Sequence, residues 1–267
     1  MIRNLACALL LGFACLAAQA QQAGRIDLIE GDVSIADAKD RPKSLRVGDI
    51  LRQGDTVTTG KNGEIHMTLD DGSVVAVRPD ARMTIVRFQN KGMESDSSVL
   101  AVARGALRTI TGWIGRRNPN GVRVRTPTAT IGVRGTDHEV FVIPSSSDKG
   151  EAGTYDKVNA GGTSIESRRG TVDVAPGQAG FVSASSAPVI LSSVPSFFQP
   201  TRNEGRLSGL NEAFQQTKGS RGAPQAGKGG TRIQGNTRIN ASANDVSAVA
   251  AGQGNTAGNR VGAIGGD

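Results

Sequence analysis

Thr126-Pro127-Thr128-Ala129-Thr130-Ile131-Gly132-Val133-Arg134-Gly135-Thr136-Asp137 is the stretch on which the reading of this 267-residue chain turns. It opens a β-patterned run that continues to Ile143 and is interrupted only by Gly132 and Gly135. Glycine tolerates positive φ, so at least one of the two is expected to turn the chain tightly beside Arg134. Gly132, Arg134, Gly135 and Thr136 therefore read as a structural motif, with the Arg134 guanidinium bonding backbone carbonyls.

The same texture extends in both directions. Val122-Arg123-Val124-Arg125 alternates strictly, which puts both arginines on one strand face. Gly24–Ile35 reads as strand, Gly31-Asp32 turn, strand; Leu45–Thr59 holds two Gly-Asp turns. Ile65–Leu69 alternates apolar and polar, Val74–Val77 reads as the strand that returns, and Met83–Phe88 alternates again. Asp71-Gly72 between the first two is a hairpin signal, because a tight hairpin needs positive φ. Val99–Thr111 alternates at Val99, Ala101 and Ala103, but helix also fits. Downstream, Thr154–Val158, Ser164–Ser167, Thr171–Val174 and Ala179–Ser183 read as four strands, separated by turns at Gly161-Gly162, Arg169-Gly170 and Pro176-Gly177. About a dozen short strands with turns this frequent predict an all-β fold. Pattern alone leaves a roll and a sandwich both open.

The order of Gly48-Asp49, Gly54-Asp55, Val57-Thr58-Thr59-Gly60, Leu69-Asp70-Asp71-Gly72-Ser73 and finally Thr126–Asp137 resembles the FecR-type periplasmic domain family over residues 24–143. The resemblance implies a compact β-roll with solenoid-like stacking of short strands, and residues 144–200 read as further strands of the same domain. In the sensing branch of that family, a cytoplasmic anti-sigma segment and a transmembrane helix precede the domain. Here the expectation differs. Arg3, the apolar run Leu5–Leu16 and Ala18-Gln19-Ala20 have the order of a secretory signal peptide cut after Ala20. Its apolar run is too short to span a bilayer. A lipidated Cys15 was the alternative, but Gly12-Phe13-Ala14 lacks the leucine such a site carries three residues upstream. The expected location is the periplasm or the exterior, without a transmembrane segment, and direct control of a sigma factor is not expected.

Both cysteines, Cys7 and Cys15, fall in that leader. The exported chain is then expected to lack disulfides, thiolate metal sites and a cysteine nucleophile. The net charge is +7, of which residues 218–267 contribute +4 and residues 21–217 only +2. A nearly balanced folded part argues against a nucleic-acid partner. Residues 201–217 place Leu207, Leu210 and Phe214 three and four apart, a short amphipathic helix. Residues 218–267, rich in Gly, Asn and Arg without aromatics, read as a disordered tail.

Residue types for chemistry are sparse. His66 sits between Ile65 and Met67 and reads as a solvent-facing strand position. In Asp137-His138-Glu139 the carboxylates share one strand face and the histidine takes the other, a poor geometry for a metal. No metal and no cofactor are expected. A hydrolase would need a pocket uniting His138 with a serine or carboxylate. The remaining feature is electrostatic: between Asp96 and Asp137 there is no acidic residue but seven arginines, Arg104, Arg108, Arg116, Arg117, Arg123, Arg125 and Arg134. Either these pair with acids on other strands, or Arg116, Arg117, Arg123 and Arg125, with Trp113 beside them, form a basic patch for an anion. The leading expectation is a non-enzymatic binding module for an envelope protein or anionic envelope polymer. The alternative is a periplasmic relay acting through a membrane partner.

Overall fold

A computed structural model describes residues 21–201, 203–207 and 209. The leader read at 1–20, the tail read at 218–267, and Leu210 and Phe214 lie outside those residues.

The chain begins with β1 (Gln22–Glu30), β2 (Val33–Ala36), β3 (Ile50–Arg52) and β4 (Thr56–Thr59). β5 (Glu64–Leu69), β6 (Val74–Val77), β7 (Arg82–Gln89) and β8 (Ser97–Ile110) follow. One helical turn, α1 (Trp113–Arg117), leads into β9 (Val122–Arg125), β10 (Thr130–Ile143) and β11 (Gly153–Ser167). β12 (Gly170–Val174), β13 (Ala179–Val182) and β14 (Val189–Ile190) complete the order. All the strands belong to one branched, unclosed sheet, and its largest apolar core collects side chains from β1 through β13. The all-β expectation is met.

Local chemistry sets the turns. Arg46-Val47-Gly48-Asp49 and Arg52-Gln53-Gly54-Asp55 fold alike: each Asp carboxylate accepts the backbone N–H of the arginine three residues earlier, at 2.9 and 2.8 Å. Each glycine takes positive φ, +90° and +94°. At the β5–β6 hairpin the Asp71 carboxylate accepts the Ser73 N–H, and burial pushes its pKa up from the ordinary value.

β8 organises the rest. Its first half lies between β7, antiparallel, and β9, parallel; its second half lies between β6 and β10, both antiparallel. The helix alternative for Val99–Thr111 is thus replaced by strand, because both flanks supply ladder partners. β10 divides in the same way. Residues 130–132 pair with β9 and residues 137–142 with β8. The ladder shifts register between Arg134 and Asp137, where Gly135 takes φ +58°. Gly161 lies directly across, and a Cβ there would meet the Gly135 carbonyl at 2.5 Å. Here one expectation is corrected. Gly161-Gly162 is not a turn but a kink inside the 15-residue β11, which the equally kinked β10 holds in one hairpin.

The sheet face turned away from the core carries a second, charged layer. In register across it lie His66, Ala76, Arg108 and Glu139, then Val74, Ile110 and Asp137. After β14, the Phe197 ring stacks on Phe141 at 4.7 Å between centroids and Phe198 is buried. The chain then runs over the charged layer. Residues 204–207 are helical, and Leu207 is 1% exposed against Val74, Ala76 and the partly buried Ile110. His66 is consequently fully buried, which corrects its reading as solvent-facing: the strand direction was right, but the face is covered.

Candidate functional site

The two regions where arginine and open space or arginine and carboxylate converge lie on opposite halves of β8. On the first half, the alternation of β9 holds: Val122 and Val124 are buried, Arg123 and Arg125 exposed. Val99 lies between Arg87 of β7 and Arg123 of β9 in the same cross-strand row. The three arginines Arg87, Arg123 and Arg125 line a trough of about 740 Å³. Amide side chains including Gln53, Gln89 and Asn120 complete its wall, and no Asp or Glu lines it. Arg87 donates to the Gln89 side-chain oxygen at 2.7 Å and Arg123 to the Asn120 carbonyl at 3.3 Å. Neither bond neutralises the charge. Among the described residues no ion pair with Asp or Glu is formed by Arg87, Arg123 or Arg125. Ser97 also lines the trough, and its hydroxyl oxygen is buried without a hydrogen-bond partner among the described residues.

The other residues of the acid-free window go elsewhere. Arg116 sits over the Trp113 ring, 5.4 Å from its centroid, and neither residue lines the trough. Arg117 also lies outside it. Its charge acts on Asp96, whose carboxylate accepts the N–H groups of Lys91, Gly92 and Met93. Those bonds, that from Lys91 foremost, hold the Asp96 carboxyl below its ordinary value against the opposing effect of burial, and Arg117 adds to them. Arg134 donates to the Asp173 carboxylate at 2.8 Å in an exposed pair. This corrects its assignment to backbone carbonyls. Thr136 carries that role: its hydroxyl donates to the Gly162 carbonyl at 2.7 Å. Gly132 lacks positive φ, unlike Gly135. The sequence reading missed Arg87, which stands outside the acid-free window and joins the trough only through sheet pairing.

Toward the end of β8, Arg108 and the neighbouring Arg78 are paired, whereas Arg104 is exposed. Arg108 grips Asp137 with Nε and Nη2 at 2.9 and 2.6 Å. Burial would raise the Asp137 carboxyl, but the Arg108 bond and charge outweigh it and hold the pKa below the ordinary value. Arg78, with a side chain 5% exposed, donates from Nε to Glu139 at 3.3 Å and pairs through Nη1 with Glu64 at 3.5 Å. Glu64 is likewise pushed up by burial and pulled further down, by its 2.6 Å bond with His66, the charge of His66 and that of Arg78. His138 points the other way, into the core, with Nδ1 at 2.8 Å from Asp156. It is fully buried, so its ring is not exposed as the base of a hydrolase would need to be. Among the described residues, no three His, Cys, Asp or Glu side chains gather as a metal site would require.

One branched β-sheet over a large apolar core, with a cationic trough across β7, β8 and β9, defines an all-β module. Residues 55–179 match the FecR protein family model, and that stretch of this chain is a FecR domain. The matched segment runs from the second Gly-Asp turn to the start of β13. No curated protein matches the chain. Two crystal structures assigned as an anti-sigma factor from Parabacteroides distasonis ATCC 8503 are similar to it at 17% and 16% identity, with TM-scores of 0.42 and 0.40. Each comparison covers 52% of this chain, which spans 60% of the length of those structures. A cell surface anchoring domain is 27% identical over 23% of this chain and 82% of its own length, with a TM-score of 0.23. Among the described residues no helix is long and apolar enough to cross a membrane.

Proposed function

We propose that the protein is an exported, non-enzymatic FecR-domain module that binds an anionic protein or polymer of the cell envelope. The observation that carries this reading is the trough formed by Arg87, Arg123 and Arg125, with three guanidinium groups and no carboxylate in its wall. Arginine forks match carboxylate and phosphate geometry, and the amide groups around them suit the hydroxyl and amide groups of a polymer backbone. The leader-like residues 1–20 support export. A nucleic acid is not the expected anion, because the folded part is nearly neutral and an exported chain does not meet one routinely. A second reading, relay of a signal to a membrane partner, is favoured by the FecR domain itself.

The test is sedimentation of the purified chain with peptidoglycan sacculi and with phosphatidylglycerol vesicles over a salt series. Binding to either is expected to weaken as salt rises, since exposed charges are screened over about 8 Å at physiological ionic strength. The Arg123→Glu/Arg125→Glu variant is expected to lose it. Retention by that variant, or binding indifferent to salt, refutes the trough as the binding surface. For export, mass spectrometry of the envelope fraction is expected to find an N-terminus at Gln21 or its cyclised form.

A further inference from the structure

The charged layer beneath residues 201–207 is organised around a single carboxylate. Arg108 spends Nε and Nη2 on Asp137, and Arg78 spends Nε on Glu139 and directs Nη1 toward Glu64. All three of these acids belong to the sheet, so both guanidinium forks are fixed before any later segment arrives. Each fork keeps one nitrogen for the same spot. Arg78 Nη2 donates to Glu204 Oε2 at 2.7 Å, and Arg108 Nη1 pairs with Glu204 Oε1. Such a pair of preset forks is a carboxylate receptor, because orientation has been fixed by other bonds.

The surroundings define what else the receptor reads. Arg78 Nη1 donates to the Thr201 hydroxyl at 2.7 Å, which in turn donates to Glu64 at 3.0 Å. Thr201 and Glu204 form a helix start in which the Glu204 carboxylate accepts the Thr201 N–H at 3.3 Å. One turn later Leu207 fills the dimple of Val74, Ala76 and Ile110. Glu and Leu three apart share a helix face, so the site accepts the pattern Thr-x-x-Glu-x-x-Leu.

We propose that this face is a docking groove for a partner protein presenting a helix start of that chemistry, and that Thr201 and residues 203–207 occupy it in cis as a detachable latch. The latch is held by one carboxylate, one hydroxyl, one leucine and the bond from Asn203 to Glu30. A contact of that size opens locally without unfolding the sheet. The anchored Phe198 stands three residues before Thr201, so the tether is short and the latch competes at high effective concentration. The partner therefore enters only when the latch is weakened. This groove is independent of the arginine trough.

The test uses the full chain and a fluorescein-labelled peptide of residues 199–210 as the probe. Glu204→Gln/Leu207→Ala should release the latch, seen as faster hydrogen exchange at 201–207. Fluorescence anisotropy should show the peptide binding the double variant at least about tenfold tighter than the unaltered chain, the scale of one charged hydrogen bond. Adding Arg108→Ala to the double variant, or Glu204→Gln to the peptide, should remove the gain. If the double variant unfolds, Leu207→Ala alone carries the same comparison. Equal binding by the latched and released chains, no binding by a released chain, or unchanged exchange at 201–207 each overturns the proposal.

Discussion

The two halves of β8 use the same residue type to opposite ends. On the first half, Arg87, Arg123 and Arg125 stand without carboxylates around open volume. On the second, Arg78 and Arg108 are enclosed by Glu64, Asp137, Glu139 and Glu204. The lesson is that a run of arginines has no meaning until the sheet decides what stands opposite. Arg108, Arg123, Arg125 and Arg134 come from one acid-free window, yet Arg108 and Arg134 are paired and the other two line the trough. Paired and buried, arginine is a structural element whose removal leaves charges stranded. Unpaired and exposed, it contributes little to stability and is free to bind.

The largest effect that tests this contrast is expected at Arg78. Arg78→Ala strips buried Glu139 of its cation, leaves Glu64 to His66 and Thr201, and should cost about 3–5 kcal/mol, measured by urea unfolding. A loss near zero would break the contrast. Next comes the joint between the halves. Gly135→Val forces a β-branched residue into φ +58° and should cost about 1–3 kcal/mol by thermal melting. The kink of β10 lets one strand serve both regions, so the loss should appear in both the anion-binding and latch assays. Gly132, without positive φ, has only the Ser164 hydroxyl within 3 Å of an added Cβ, and Gly132→Ala should cost less.

Acid sharpens the comparison further. The Asp137 carboxyl lies below its ordinary 3.8 in the fold. Its contribution is therefore present above 3.8 and is lost as pH falls through the lower folded value. Glu64, also lowered, acts with the same sign. Stability should fall on acidification below the ordinary carboxylate range, and Asp137→Asn should flatten that fall while lowering stability at neutral pH. An unchanged slope in denaturant titrations at a series of pH values would count against the assignment. Smallest of all is the trough. Arg123→Glu/Arg125→Glu should change stability by no more than about 0.5 kcal/mol, as exposed substitutions do, while removing salt-sensitive binding.

Much of the fold was legible because strand period and turn chemistry are local. Val122–Arg125 showed its buried and exposed faces directly, and Asp71-Gly72 marked the β5–β6 hairpin. What failed was non-local. Nothing near His66 says that a segment 137 residues beyond Glu64 will cover its face. Gly161-Gly162 looks like a turn until β10 is seen to kink beside it. Arg134 found Asp173, 39 residues away, rather than a nearby carbonyl. Arg87 reached the trough through a bulged pairing with Val99. One missed signal was readable: Thr201-Arg202-Asn203-Glu204 has the spacing of a capping box. It agrees with the helix start read at residue 201, but says nothing of the face on which that helix sits.

The latch also sets an order of events. Glu204 lies 126 residues after Arg78, and Thr201 lies 137 after Glu64. Closing such a long loop is entropically late, and a chain emerging from its N-terminus builds its sheet before that segment exists outside the ribosome or pore. During that interval His66, Arg78 and the leucine dimple face water. A chain in which Leu207 has yet to arrive would thus show water a surface that the finished molecule conceals.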